Sequence, residues 1–298
     1  MVKSMNIEAH YDYGGDEFIF VELNEEMDLL DNFRVMAITE AIRKQDMDAI
    51  TEVCPSNVSY LVRLDPDRLH PREAIDLLKE ITASLPDVLE SQISTRIVDV
   101  PVLYGDPWTH ETLMRFRDRH QDSRLTDLEY AARLNGYGSV EEFIVAHSGA
   151  PYWVSMIGFV PGLPWCYQMV PRDRQIEVPK YVRPRTDTPE RSVGHGGAFA
   201  CIYPVRGAGG YQLFGMTPTP IFNQDQTLRD FQDTLIFLRP GDILKFRAIG
   251  RNEFDQVRQS VLHREFQYRV RDYVLSPRDV LSAPDLFARD VIRRLYDD

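Results

Sequence analysis

Between Pro151 and Pro220 the chain repeatedly sets a short apolar run against a corner shaped by glycine or proline, and this alternation narrows the fold more than any other feature. Pro151-Tyr152-Trp153-Val154-Ser155-Met156-Ile157 has strand composition and ends in Gly158-Phe159-Val160-Pro161-Gly162-Leu163-Pro164-Trp165. Glycine permits positive φ and close backbone approach, whereas proline fixes φ and removes a donor, so this corner is rigid and specifically shaped. A basic, proline-punctuated loop from Arg172 to Arg191 follows, then Ser192-Val193-Gly194-His195-Gly196-Gly197, Ile202-Tyr203-Pro204 and Gly209-Gly210-Tyr211-Gln212-Leu213-Phe214-Gly215. Short strands between shaped corners predict a β-barrel with functional loops; the plainer alternative is a barrel whose glycines only turn corners.

Upstream, the pattern is mixed. Tyr11 to Glu17 reads as a turn feeding the strand Phe18–Leu23, Met27–Lys44 has apolar residues at helical intervals, and Ser59–Leu64 is a second strand. Pro71–Leu85 is a helix with proline in its first turn, and Arg96–Tyr104 a third strand. Strands alternating with helices predict a small α+β domain over about residues 6–100, with no pattern of chemistry in it. Cys54 reads there as a small buried hydrophobe. His110–Ser148 turns helical, with a capping box at Ser139–Glu142. Downstream, Thr234–Leu238 and Asp242–Phe246 read as a strand pair around Arg239-Pro240-Gly241. Residues 253–298 read as a helical tail with a capped start at Ser276-Pro277, whose role is packing on the barrel or on a partner.

Composition closes several function classes. The 298 residues carry 34 Lys and Arg against 46 Asp and Glu, a formal charge of −12, which argues against a general binder of nucleic acid or of anionic membranes. No apolar run long enough to span a bilayer occurs, and Met1–Asn6 lacks a signal-peptide core. Cys54, Cys166 and Cys201 are odd in number and widely spaced, which gives neither a disulfide framework nor a Cys-x-x-Cys metal knuckle. A soluble, cytoplasmic protein without a metal site is expected.

His195 and His147 are the acid/base candidates, because imidazole titrates nearest neutrality. His195 lies among glycines that would let a ligand approach, or serves as a turn donor. His147 near a helix end is alternatively a cation favoured by the helix dipole. The basic loop holds Arg172, Arg174, Lys180, Arg183, Arg185 and Arg191. It is a candidate carboxylate or phosphate site, since arginine binds either group through two parallel bonds; the alternative is a solvated, salt-bridged loop. Gly207-Ala208-Gly209-Gly210 lacks the Gly-Lys-Ser/Thr ending of a P-loop.

Taken together, Gly158-Phe159-x-Pro161-Gly162-x-Pro164, Tyr203-Pro204, Gly209-Gly210-Tyr211-Gln212-Leu213-x-Gly215-x-Thr217-Pro218 and Arg239-Pro240-Gly241-Asp242 resemble the allophanate hydrolase subunit 1 family. Gly15-Asp16, Pro101-Val102-x-Tyr104-Gly105 and His147-x-x-x-x-Tyr152-x-Val154 match it upstream. That family includes the B subunit of 5-oxoprolinase, the Kip inhibitor of a sporulation kinase, and one half of the carboxyltransferase domain of urea carboxylase. The resemblance implies an α+β protein: a small N-terminal α/β-sandwich domain over residues 6–104, a cyclophilin-like β-barrel over 105–252, and a helical extension over 253–298.

It further implies a B-type member of an ATP-dependent hydrolase complex acting on a cyclic amide or ureide. ATP would be used at the level of the complex. The site would be shared with a homologous C-type partner (the family's subunit 2, itself a carboxyltransferase-domain protein) and served by a LamB-like A-type partner. The alternatives are a carboxyltransferase half served by biotin, and a non-catalytic regulator of the kinase-inhibitor kind. Arg185 would anchor a substrate anion, His195 or His147 would act as acid/base, and Tyr152, Gly158, Pro161, Gly162, Tyr203, Gly209 and Gly210 would line the substrate. Departures from the family pattern lie in the basic loop and beyond it. Lys180 stands where the family has arginine, Arg191 where it has the glycine of Val-Pro-x-Gly-Ser-Val, Phe199 replaces a glutamine, and Met216 a basic residue. Each lost buried partner is worth about 1–3 kcal/mol, so a divergent substrate is expected.

Overall fold

The computed structural model describes residues 8–297; Met1–Asn6, read above for its lack of a signal core, and the first residues of the 6–104 domain lie outside them. The chain divides into two compact units, residues 1–95 with 274–283, and residues 96–273 with 284–298.

In the first unit the order is β1 (His10–Gly14), β2 (Phe18–Glu22), α1 (Leu29–Lys44), β3 (Ile50–Pro55), β4 (Ser59–Leu64) and α2 (Pro71–Ser84). The strands form an antiparallel sheet ordered β1-β2-β4-β3. Alternation along β2 and β4 turns Ile19, Val21, Tyr60 and Val62 to one face, where Val35, Ile38 and Ile42 of α1 and Ala74, Leu78 and Ile81 of α2 cover them. Asp28 starts α1 by accepting the backbone N–H groups of Leu30 and Asp31, and His70 does the same for Arg72 ahead of Pro71. Two readings are corrected. Tyr11 to Gly14 is strand rather than turn, because only Gly15, at φ 71°, takes the left-handed backbone. Cys54 is exposed, because β3 is an edge strand.

The second unit is built on β5 (Ile93–Tyr104), which is followed by α3 (Pro107–Arg115), α4 (Asp127–Leu134) and α5 (Val140–Gly149). Then come β6 (Pro151–Ile157), β7 (Pro164–Gln168), β8 (Arg185–Thr188), β9 (Ser192–Gly196), β10 (Phe199–Ile202), β11 (Gly207–Gly209), β12 (Gln212–Met216) and β13 (Ile243–Ala248). Seven strands run β12-β9-β10-β7-β6-β13-β5, and pairing of β12 with β5 closes them into a barrel. All contacts are antiparallel except β13 with β5. Val100, Tyr152, Val154, Cys166, Val193, Ala200, Ile202 and Phe246 converge from six of these strands in one cluster, which is the barrel interior.

Residues 234–238 do not pair with 242–246 as the sequence suggested. Ile236 instead bridges Phe222, and the backbone of Leu235 and Phe237 bonds Asn223 and Ile221. The turn at 239–241 is held by Asp242, whose Oδ2 accepts from the backbone N–H of Arg239 at 2.8 Å. The same carboxylate takes a two-pronged bond from Arg96, at 2.7 and 2.8 Å, which sets β13 beside β5.

The tail comprises α6 (Arg251–Leu262), β14 (Val270–Leu275), α7 (Pro277–Ser282) and α8 (Pro284–Tyr296). Outside residues 274–283 it packs on its own barrel: Tyr268 stacks on Phe237 at 4.0 Å, and the Tyr296 hydroxyl donates to Asp99 at 2.6 Å. Ser276 caps α7 through the N–H of Asp279.

The closing seam depends on Gly215. A Cβ there would lie 2.5 Å from the Leu103 carbonyl oxygen and 3.0 Å from the Tyr104 Cα, both backbone and unable to yield. Gly215→Ala is therefore expected to destabilise the protein by about 1–3 kcal/mol, read as a lower urea midpoint; an unchanged midpoint would show that closure tolerates the methyl group.

Candidate functional site

Register assigns each barrel residue to a side. Across β7, β10, β9 and β12 the pairs Cys166–Ala200, Ala200–His195 and His195–Gln212 form one row. Ala200 and Cys166 belong to the interior cluster, so His195 points inward. The alternate row holds Tyr167, Phe199 and Gly196, with Cys201, Gly194 and Leu213 beside it, and faces outward.

On that outer face, glycines make seats for aromatic rings. A Cβ on Gly196 would fall 2.3 Å from Tyr211 Cδ1, and one on Gly209 would fall 2.5 Å from the Tyr203 hydroxyl oxygen. The two tyrosines therefore lie flat against strands that have no side chain at those points. Trp165 meets Phe199 edge-on at 5.2 Å and Tyr211 at 6.1 Å, and Lys180 Nζ sits 5.3 Å from the Tyr211 ring centre and 5.8 Å from that of Trp165. The Tyr211 hydroxyl and the Trp165 Nε1 are buried without a hydrogen-bond partner. The Gly158–Gly162 turn forms the rim. Gly158 N–H donates to the Leu163 carbonyl at 3.0 Å, Gly162 at φ 85° packs against Pro204 and Ile236, and Pro161 and Phe159 are exposed.

Behind this shelf lies a buried polar network. Arg185, fully buried, donates Nη1 to the Tyr211 carbonyl at 2.8 Å and Nε to Thr188 Oγ1 at 3.2 Å. Its guanidinium lies 4.5 Å from the centre of the Tyr181 ring, and its Nη2 has no partner. Asp127 accepts the Tyr181 hydroxyl at 2.7 Å and the Leu213 N–H at 2.5 Å, with His120 Nε2 at 3.4 Å. Burial pushes the Asp127 carboxyl up, and these bonds with the Arg185 charge act against it.

The structure thus gathers Gly158, Pro161, Gly162, Tyr203, Gly209, Gly210 and Arg185 on the outer side of the barrel. His195, His147 and Tyr152 are not with them. All three are fully buried, His195 because the period of two turns it inward, and Tyr152 because its strand faces the core. His147, carried on α5, meets Phe246, Phe214 and the His195 ring at 5.3, 5.2 and 5.7 Å. Its Nδ1 bonds the Tyr104 hydroxyl at 2.8 Å, while His195 Nε2 bonds the Ile176 carbonyl at 2.9 Å. The exposed cations of the basic loop are largely paired: Arg174 with Asp285 at 2.5 Å and Arg183 with Asp118 at 2.9 Å.

Lys180 as the ring-capping cation, and Asp127 with His120 and Tyr181 as the support, escaped the sequence reading. Asp127 follows Thr126 in a capping box with Glu129 and there reads only as a helix start. Among the described residues no group of three or more His, Cys, Asp or Glu could hold a metal ion, and no helix is long and apolar enough to cross a membrane. The glycine run at 207–210 does not cradle phosphates, since the Tyr203 ring fills the space beside Gly209.

The family model for the carboxyltransferase domain, subdomain C and D, matches residues 10–230. The B subunit of the Bacillus subtilis (strain 168) 5-oxoprolinase is 28% identical over 260 residues, 84% of this chain and 97% of that relative. The urea amidolyase of Saccharomyces cerevisiae is 23% identical over 285 residues, 94% of this chain but 15% of that protein. The urea carboxylase of Kluyveromyces lactis superposes with a TM-score of 0.81 at 21% identity, over 95% of this chain and 25% of that one, a likeness of fold.

The buried imidazoles make a pH prediction. Burial pushes His195 down to about 4, and burial with the His195 and Lys245 charges holds His147 well below its ordinary value. Unfolded imidazoles take up protons near about pH 6.5, so the neutral pair contributes stability that is fully present above that pH and is lost as the pH falls toward 4. Unfolding free energy should therefore fall more steeply over this window in the native protein than in His195→Gln, by up to about 1.4 kcal/mol per pH unit. Equal slopes in urea titrations would contradict a buried neutral His195.

Proposed function

The chain belongs to the family of the carboxyltransferase domain, subdomain C and D, and from that premise we propose that it is the B-type member of a heteromeric, ATP-dependent hydrolase acting on 5-oxoproline or a related cyclic amide. The observation that carries the reading is the match to the B subunit of 5-oxoprolinase over 97% of that relative's length. The shelf supports it chemically. Lys180 offers a cation for a carboxylate, and the partly exposed Trp165 ring beside it offers a π face for a small planar ring. Arg185 is a positioning residue, since its bonds go to the Tyr211 carbonyl and Thr188.

The shelf's own groups are poorly placed for proton transfer at neutral pH. Burial drives the Tyr203 and Tyr211 phenols upward and the Cys201 thiol up to about 12, while His195 is held down to about 4 on the inner side of the wall. In this reading the shelf binds and orients, and the reacting groups come from the C-type partner, with ATP bound elsewhere in the complex. His147 and His195 keep the barrel packed rather than touch substrate.

One observation favours a second reading, the carboxyltransferase half of a biotin-dependent urea-type carboxylase. Sequence likeness to the urea amidolyase of Saccharomyces cerevisiae covers 94% of the chain, against 84% for the 5-oxoprolinase match. Biotin would then arrive on a separate carrier. Reconstitution distinguishes the two. With homologous C-type and A-type partners, ATP and 5-oxoproline, the first reading expects glutamate release that needs this chain. Lys180→Ala should raise KM by about ten-fold with kcat largely kept, equivalent to about 1.4 kcal/mol of lost binding. No turnover above that of the partners alone rejects this reading; bicarbonate-dependent carboxylation of urea with a biotinylated carrier would establish the second.

A further inference from the structure

A second concavity lies away from the shelf, between α3, the turn at Pro189–Arg191 and α6. It has a volume of about 260 Å³, and four arginines line it, Arg115, Arg191, Arg206 and Arg258, together with Glu111, Glu190 and Trp108. Their charges are unequally satisfied. Arg115 Nη2 and both prongs of Arg206 share one carboxylate, Asp187, at 2.8, 2.6 and 2.7 Å. Arg191 reaches Glu190 at 3.2 Å and donates Nη1 to the Pro218 carbonyl at 3.4 Å, while its Nε is sealed from solvent without a partner. Arg258 faces the Trp108 ring at 5.7 Å rather than a carboxylate.

Backbone strain marks the same place. Arg191 sits at φ 65°, a left-handed conformation that a residue bearing a Cβ keeps only where its surroundings impose it. Here they do. Its N–H donates to the Tyr203 carbonyl at 2.6 Å, and its own carbonyl accepts the Thr217 N–H at 3.0 Å. Glycine would fit this turn without strain, yet the chain carries a long cation there and aims it into a cleft already lined by three others.

We infer that this cleft is a binding site for a small oxyanion, a carboxylate or phosphate group carried on a compact molecule. Guanidinium forks match both groups through paired hydrogen bonds. A bound anion would face Arg258, which has no carboxylate partner, and screen Arg191 from it; that charge, after burial itself, pushes the Arg191 guanidinium down. The volume admits an anion of a few heavy atoms. None of these residues belongs to the shelf, so the inference stands or falls apart from the hydrolase reading.

Calorimetric titration of the full chain at constant ionic strength, with inorganic phosphate in one arm and glutarate in the other, tests it. Saturable one-to-one binding of at least one anion is expected, and the tighter arm identifies the group. Arg191→Gly should weaken that binding by about ten-fold or more while leaving Tm unchanged or higher, because glycine relieves the φ strain. Arg258→Ala should weaken it similarly, and Arg183→Ala, an exposed residue paired with Asp118, should not. Failure of both anions to saturate, or affinity unchanged in both Arg191→Gly and Arg258→Ala, would overturn the assignment.

Discussion

A tyrosine ring can lie flat on a β-strand only where the strand has no side chain, and the outer face of this barrel is organised by that constraint. Gly196 and Gly209 are the vacant positions, and the Tyr211 and Tyr203 rings occupy them. Once the rings are flush, Trp165 and Phe199 can meet them edge-on, and Lys180 can cover the group. The same steric logic operates at the seam, where Gly215 lets β12 approach the backbone of β5 closely enough to close the sheet. A closed sheet has no free edge between these strands. The glycines thus act mainly through close approach rather than unusual dihedrals; none of Gly194, Gly196, Gly209 and Gly215 takes a positive φ.

Closure also fixes where polarity can go. The interior accepts His147 and His195 only as neutral rings, each with one ring nitrogen bonded and the other left unpartnered. Both side chains are fully buried, and a charged imidazole there would cost several kcal/mol in desolvation. Asp127 is held between the same wall and α4 by the Tyr181 hydroxyl, the Leu213 N–H and the nearby Arg185 charge. Burial displaces the pKa values of all three groups, downward for the imidazoles and upward for the carboxyl. Displacement marks catalytic groups in many proteins, but here it accompanies sealed packing, and the groups that reach solvent on the shelf are Lys180 and, in part, the Trp165 and Phe199 rings.

The arginines of the 172–191 loop illustrate how one charged stretch divides into separate roles. Arg174 and Arg183 sit at the surface in exposed pairs, which contribute little to stability. Arg185 is driven inside, where a carbonyl, a threonine and an aromatic face replace water. Arg191 is turned away from both by a left-handed backbone and joins Arg115, Arg206 and Arg258, residues remote from it in sequence. A single basic loop therefore supplies the support of one site and part of the lining of another.

Legible in the residues alone were the alternation of short strands and shaped corners, hence the barrel; the helix starts at Pro71, Ser139 and Ser276; and, through ordered motifs, the family. These are local properties, since dihedral preference, capping and a period of two act within a few residues. The sequence also marked the Gly158–Gly162 turn, Tyr203 and the Gly209-Gly210 pair, which the fold gathers on one side. Which way each residue faces, and what stands opposite it, was set by the assembled fold. His195 looked accessible because its neighbours are glycines, but in register with Ala200 those glycines face out and the histidine in. Strand 243–248 lies against β5, some 146 residues earlier in the chain, through the bond of Arg96 to Asp242, rather than against its sequence neighbour. Pairing across such separations depends on closure of the whole sheet, and no short window of sequence carries that information.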